Sequence, residues 1–260
     1  MGRAETLSGR VLSSATGDAI PYVNIGVLKG ERGTVSNDKG YFRLDLSEID
    51  KGSTLRFSFI GYESYDVTIA EILERCKVAC EVELTPKILE LPEVVVYPRK
   101  FKEKVVGNPH PPPGLKAGFT NDSLGYELGI LVKLKQRPTL LKELRLHGIE
   151  TSFETIFYRL NVYEMDQDLP GKNVLSEPIY ITLTNFSGEK IIKIDLSPHQ
   201  IVVEDDFVIS LEYVKELGAG NLVFATGILS GKMFYRKTSQ AEWHSAPFGL
   251  GMSVLISYEK

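Results

Sequence analysis

Short runs in which apolar and polar residues alternate, broken every few residues by Gly, Asn, Asp or Pro, fill this chain and restrict it to layered β structure. Side chains of a strand point alternately to two faces, so each run specifies one buried face. In the first part, residues 21–28, 41–46 and 54–59 have strand length and residues 65–69 alternate, with breaks at Gly17-Asp18, Gly30, residues 37–40, Lys51-Gly52 and Gly61. That rhythm predicts a β-sandwich. One helical turn is predicted at residues 71–76, where alternation fails and Ile72, Leu73 and Cys76 fall on one face. Strand-like runs resume at 126–134, 140–147, 155–163, 178–183, 190–196, 207–214, 221–229 and 251–258, predicting a second sandwich of jelly-roll type. There Ile156, Tyr158, Leu160 and Val162 share one face, as do Ile192, Ile194 and Leu196, and Phe207, Ile209, Leu211 and Tyr213. These faces are expected to be core.

Between the two series, residues 98–114 change character. Arg99, Lys100, Lys102 and Lys104 are followed by Pro109, Pro111, Pro112 and Pro113. A proline run favours extended geometry without a hydrogen-bond ladder, so this segment is expected to be a semi-rigid spacer outside either core. The formal charge of -4, with Lys and Arg dispersed among Asp and Glu, leaves no basic face for nucleic acid. No apolar run approaches the roughly 20 residues of a membrane helix, so no transmembrane segment is expected. Residues 1–5 contain no apolar core of a secretion signal.

A set of positions in the first 95 or so residues resembles the carboxypeptidase-regulatory-like module, a transthyretin-like fold found at the N-terminus of outer-membrane TonB-dependent receptors of Bacteroidetes. They are Gly9 and Val11, Gly17, Pro21 with Val23-Asn24-Ile25, then Gly33-Thr34, Ser36-Asn37, Gly40, Phe42 and Leu44, and finally Leu55, Phe57-Ser58-Phe59 and Gly61-Tyr62. Each also has a physical reason. Asn37 opens a turn that Gly40 exits at positive φ, Pro21 suits a strand start, and Gly61 permits a bend before Tyr62. Residues 91–96 resemble the Glu-Val-Val-Val segment that follows the module in those receptors, near their TonB-binding box. The chain then departs from them, because only about 160 residues remain and their strands show no sustained lipid-facing band. Residues 157–163, 168–171, 194–196 and 207–209 weakly resemble jelly-roll modules of secreted adhesins and carbohydrate-binding proteins. The expected fold is therefore all-β: a transthyretin/Ig-like sandwich over 5–97, a Pro-rich basic linker over 98–114 and a jelly-roll-like sandwich over 115–260. The resemblance implies a periplasmic or outer-membrane-associated protein whose signal peptide is absent from this sequence.

Few residues of this sequence fall in a pattern that carries catalytic or metal-binding chemistry. His147 and Glu150 have the His-x-x-Glu spacing of zinc carboxypeptidases, but the run before them reads as a strand and no βαβ alternation follows, so a zinc metallopeptidase is the remote alternative. Asp166 and Asp168, with Glu164, place oxygen ligands in one loop without EF-hand spacing, a calcium possibility that ranks below solvated carboxylates. No nucleophile elbow, phosphate loop or dinucleotide fingerprint occurs, and neither an enzymatic activity nor a cofactor is expected. Cys76 and Cys80 are the only cysteines; a turn would let them bridge and a straight helix would not, which leaves both states open. Phe234, Tyr235, Trp243 and Phe248 gather in one segment, either as a glycan-stacking platform or as the plug of a sandwich end. Glu93, Val94, Val95 and Val96 lie between Pro92 and Pro98 and either pair within the chain, the preferred reading, or add as a strand to a partner. The functional expectation is a non-enzymatic envelope scaffold that binds another envelope protein. The alternative is a carbohydrate-binding accessory protein using the aromatics near Trp243.

Overall fold

The computed structural model describes residues 5–77, 80–87, 101–112, 114–120, 123–184 and 191–259. The first part holds β1 (Thr6–Ser13), β2 (Asn24–Val27), β3 (Gly33–Val35), β4 (Tyr41–Asp45), β5 (Thr54–Ser58), β6 (Tyr65–Thr68), α1 (Ile69–Arg75) and β7 (Glu81–Leu84). Its strands form two sheets in the orders β4-β1-β7 and β3-β2-β5-β6. Val11, Phe42 and Val82 from one sheet meet Ile25, Leu55 and Phe57 from the other, so the predicted alternation does bury one face of each. The turn before β4 forms as its residues dictate: Asn37 Oδ1 accepts from the N–H groups of Lys39 (2.9 Å) and Tyr41 (3.0 Å), and Gly40 sits at φ +78°.

The predicted helical turn is α1. Its start is fixed by reciprocal capping: the Glu71 N–H donates to the Thr68 hydroxyl at 3.2 Å, and the Thr68 N–H donates to the Glu71 carboxylate at 3.0 Å. Ile69 and Ile72 are the buried side chains. The helix stops at Arg75, Cys76 caps it, and the chain turns back so that Cys76 and Cys80 are disulfide-bonded with Cα atoms 4.4 Å apart. The open question from sequence is resolved by where the helix ends, because Cys76 lies just past it.

The second part holds β8 (Phe101–Gly107), β9 (Lys116–Phe119), β10 (Glu127–Val132), β11 (Thr139–His147), β12 (Glu150–Thr151), β13 (Thr155–Asp166) and β14 (Leu169–Asn173). It continues with β15 (Ile179–Thr184), β16 (Ile191–Asp195), β17 (Val202–Val203), β18 (Phe207–Tyr213), β19 (Leu222–Arg236), β20 (His244–Leu250) and β21 (Met252–Glu259). One sheet runs β12-β19-β10-β18-β13-β14, with β15 added to β13 and β9 and β20 added to β19. The other runs β16-β11-β21-β8, with β17 added to β11. Tyr158, Leu160, Ile209 and Leu211 of the first sheet share one core with Leu144, Leu146, Val254 and Ile256 of the second. The faces read as core from their periodicity are core.

One expectation needs correction. Residues 101–107, assigned to the linker, are strand β8, paired antiparallel with β21 from Phe101↔Glu259 to Gly107↔Ser253. Among the described residues β8 has a neighbour on one side only, and its Lys102, Glu103 and Lys104 are exposed. Charged side chains protect an open sheet edge against association, and the same charges make an edge strand read as a linker. Val106 reaches the core, and buried Asn108 donates to the Gly249 carbonyl at 2.7 Å, which ties the start of the proline run to β20. Trypsin is therefore expected to spare Lys102 and Lys104 in the folded protein, because a protease needs the backbone free of its ladder. Mapping of the first fragments by mass spectrometry checks this, and an early cut after either lysine would show that β8 does not hold.

Candidate binding cleft between the two sandwiches

In β13, alternation sends Tyr158, Leu160 and Val162 into the core and Arg159, Asn161 and Tyr163 to the opposite face. That second face is buried too. It lies beneath the outer face of sheet β3-β2-β5-β6, where Asn24 and Gly26 of β2 and Ser58 of β5 point away from their own core. Arg159, 2 % exposed, donates to Glu212 of β18 through Nε (3.1 Å) and Nη2 (2.7 Å), and through Nη1 to the Tyr22 carbonyl (2.7 Å). Its Nη2 also donates to Asn24 Oδ1, and Asn24 Nδ2 donates to Glu212 Oε1 at 2.8 Å. The first sandwich is thereby hydrogen-bonded to both partners of a buried ion pair in the second.

The network continues across the sheet. Asn161 Nδ2 donates to Glu127 of β10 (2.8 Å) and to Glu212 (2.9 Å), and Asn173 Nδ2 donates to Asn161 Oδ1 (2.9 Å). Arg236 of β19 donates to Glu127 at 2.8 Å and lies with its guanidinium 4.9 Å from the Trp243 ring. Glu127 and Glu212 face each other in register, two acids with two arginines. Burial opposes ionisation of Glu212, but the Arg159 and Arg236 charges overcome it and hold that carboxyl below its ordinary range. Burial pushes the Glu127 carboxyl up, with the Glu212 charge adding to it and Arg236 opposing. Adjacent acids resolve their repulsion by separating in this way.

Packing around the network is equally close. A Cβ on Gly26 would lie 2.1 Å from the Ser239 carbonyl oxygen, and one on Gly33, its partner in register, 2.4 Å from the same atom. On one flank the Tyr22 ring rests against Phe157 and Tyr180, with centroids 5.2 and 5.4 Å away. On the other flank the two faces diverge and leave a cleft of about 560 Å³. Arg159, Asn161 and Arg236 lie at its floor, Arg56, Phe59 and Tyr62 on the first sandwich, and Lys172 and Asn173 of β14 on the second. Arg159 stands 5.7 Å over the Phe59 ring, which is 5.9 Å from that of Tyr62. Arg56 is held by Asp66 through two contacts of 2.6 Å. The sandwich that forms the first wall carries the Asn37–Gly40 turn and the Gly61-Tyr62 corner noted in the sequence.

Residues 7–96 match the CarboxypepD_reg-like domain family. This regulatory-like domain is the Ig-like β-sandwich of the chain, and from it come Asn24, Arg56, Phe59 and Tyr62 of the cleft. No curated protein matches the chain.

The residues singled out from sequence are dispersed. Glu93, Val94, Val95 and Val96 lie outside the described residues. Phe234 is completely buried beneath Trp243 with Tyr163 and Val208, so it cannot stack on a ligand, and the four-residue glycan platform is corrected. Tyr235, the next residue of β19, faces the other way and stacks on His244 at 5.3 Å, while Phe248 of β20 is opposite Ile228 of β19. Asp166 and Asp168 sit exposed at the β13–β14 turn. Among the described residues, no group of three or more His, Cys, Asp or Glu side chains is arranged to hold a metal ion.

His147 and Glu150 are committed separately: His147 Nε2 is 2.7 Å from Ser253 Oγ, and Glu150 pairs with Lys116 at 2.6 Å. Burial first, then the charges of Arg145 and His110, hold the His147 imidazole below its ordinary range. Such a group takes up its proton more readily in the unfolded chain, so its contribution to stability is present above the ordinary value of 6.5 and is lost as pH falls below it. The melting temperature is expected to fall less between about pH 7.5 and about pH 5.5 in His147→Gln than in the wild type. Equal falls would count against a buried neutral imidazole.

Sequence reasoning passed over Arg159, Asn161, Glu212, Glu127 and Arg236. A signal was present: Ser210 and Glu212 interrupt the apolar run 207–214, and Arg159 and Asn161 interrupt the run 155–163. Charges of opposite sign in two long central strands are read as solvated until topology makes the strands neighbours.

Proposed function

We propose that this chain is a non-enzymatic binding and scaffold protein of the cell envelope, with the cleft between its two sandwiches as the binding site. The observation that carries the reading is the network at the cleft floor. Arg159, Glu212, Asn161, Glu127 and Arg236 spend their donors and acceptors on one another and on Asn24 and Tyr22, which fixes the geometry of the two walls. A rigid, polar-floored cleft between domains is a common form of ligand site. The Cys76–Cys80 disulfide supports an envelope location, since such bonds persist in oxidising compartments. The resemblance of residues 91–96 to the segment near the TonB box of outer-membrane receptors supports an envelope protein as partner. The alternative of carbohydrate binding gains nothing from the Trp243 aromatics, because Phe234 is buried.

Two measurements test the reading. In cells quenched with acid, Cys76 and Cys80 are expected to resist alkylation until reduced, and the protein is expected to fractionate with the periplasm or the outer membrane. A photo-crosslinking residue at Ser64, exposed at the cleft, is expected to form a discrete adduct in intact cells, and one at exposed Lys193 is not. Reduced cysteines in a cytoplasmic fraction would overturn the location, and identical behaviour of the two crosslinking positions would overturn the site.

A further inference from the structure

The geometry points to a ligand class for this cleft: a short sugar acid, a saccharide of two or three rings carrying carboxylates. The inference rests on the reading of the cleft as a binding site. Three observations carry it. First, among the described residues the lining contains Arg56, Lys87, Arg159, Lys172 and Arg236 and no Asp or Glu, in a chain whose formal charge is -4. The two arginines of the floor are neutralised behind it by Glu212 and Glu127, and Arg56 by Asp66. Lys87 follows β7 on the first sandwich and Lys172 lies in β14 on the second. Both are exposed, and among the described residues neither has a carboxylate within ion-pair distance. Each wall therefore offers to the space between them one positive charge that no carboxylate of the described residues neutralises.

Second, the facing strands β5 and β13 present side chains, while β14, which carries Lys172, ends its sheet and has no second strand beside it among the described residues. β5, which carries Arg56 and Ser58, is laddered to β2 and β6 on its two sides, and β13, which carries Asn161 and Tyr163, to β18 and to β14 and β15. A peptide added as a strand would need free backbone groups, which these strands have spent. Recognition across β5 and β13 runs through ammonium, hydroxyl and amide groups, of which Ser64 and Ser176 add two hydroxyls. Such a set suits hydroxyl-rich rings bearing carboxylates. Third, the half-buried rings of Phe59 and Tyr62 give one wall an apolar face beside the charges, as a pyranose ring requires for stacking. A volume of about 560 Å³ has room for two or three such rings.

Calorimetric titration of the full chain with trigalacturonate tests this. Saturable one-to-one binding is expected, with maltotriose, neutral and of the same ring number, at least about tenfold weaker. Lys87→Gln and Lys172→Gln are each expected to weaken trigalacturonate binding by about tenfold, the effect of one charge-assisted contact. Lys193→Gln, on β16 away from the cleft, is expected to leave binding unchanged, and equal melting temperatures will show that all three variants fold. Equal affinity in both cleft variants would overturn the proposal, as would equal binding of maltotriose. Triglutamate binding as tightly as trigalacturonate would assign the site to acidic peptides instead. Absence of binding while the Ser64 adduct persists would remove the sugar acid and leave the binding function standing; loss of both would remove both.

Discussion

Arg159→Ala is expected to lower the free energy of unfolding by about 3–5 kcal/mol, the usual consequence of breaking a buried ion pair from one side. The side chain is 2 % exposed and its guanidinium serves Glu212, Asn24 and the Tyr22 carbonyl together. Its removal leaves Glu212 buried with Arg236 3.9 Å away as the remaining guanidinium, and leaves two acceptors of the first sandwich without their donor. The paired change Arg159→Met with Glu212→Met is expected to cost less than the sum of the single changes, since two apolar side chains leave no uncompensated charge. Urea unfolding followed by the fluorescence of Trp243, the one tryptophan in the chain, reads the effect where it arises, because that ring lies against Arg236. A loss below about 1 kcal/mol would mean that Arg159 is solvated and the docking of the two sandwiches is not what the network suggests.

Gly26→Val is expected to force the sandwiches apart at a cost of about 1–3 kcal/mol while each keeps its own core. Valine is at home in a strand, so no local preference opposes it. The obstacle is across the interface, where the new Cβ would meet the Ser239 carbonyl oxygen at 2.1 Å and its carbon at 2.9 Å, backbone atoms that cannot rotate away. Ile25 and Val27 on either side point into the first core and are untouched. Faster amide exchange in residues 236–241, with β1 and β5 still protected, is the expected signature. Ser8→Val, on an exposed position of β1, is the matched control and is expected to stay within about 0.5 kcal/mol of the wild type. Unchanged exchange in Gly26→Val would show that the interface yields without cost.

The parts of this fold legible in the sequence were those in which one residue type has one local meaning. Alternation named the core faces of β13, β16 and β18, and Asn37 with Gly40 named a turn. Legibility failed where a side chain had two possible environments. Arg159 and Asn161 alternate with core residues as solvent-facing side chains do, and nothing in a linear sequence states that a second sandwich covers them. Lys102 and Lys104 carry the charge pattern of a spacer, and of an edge strand as well. For the cleft, Phe59, Gly61 and Tyr62 were visible as a corner of the regulatory-like domain. Lys87 and Lys172, some 85 positions apart, acquire a common role only through the docking of the two domains.

The pairing of β8 with β21 also sets an order of events as the chain emerges N-terminus first. The described strands of the regulatory-like domain lie within residues 6–84, so they can pair as soon as that stretch has emerged into the compartment where the chain folds. Among the described residues the first strand of the second sandwich is β8, whose one neighbour lies at residues 252–259, and β11 needs that same neighbour on its inner side. Its sheet β16-β11-β21-β8 therefore stays open until nearly the whole chain has emerged, and closing it joins positions about 150 residues apart, a slow kind of contact to make. Through that interval the nascent second sandwich exposes unpaired edges, and the docking of Asn24 onto Arg159 and Glu212 offers it a surface already folded against which to settle.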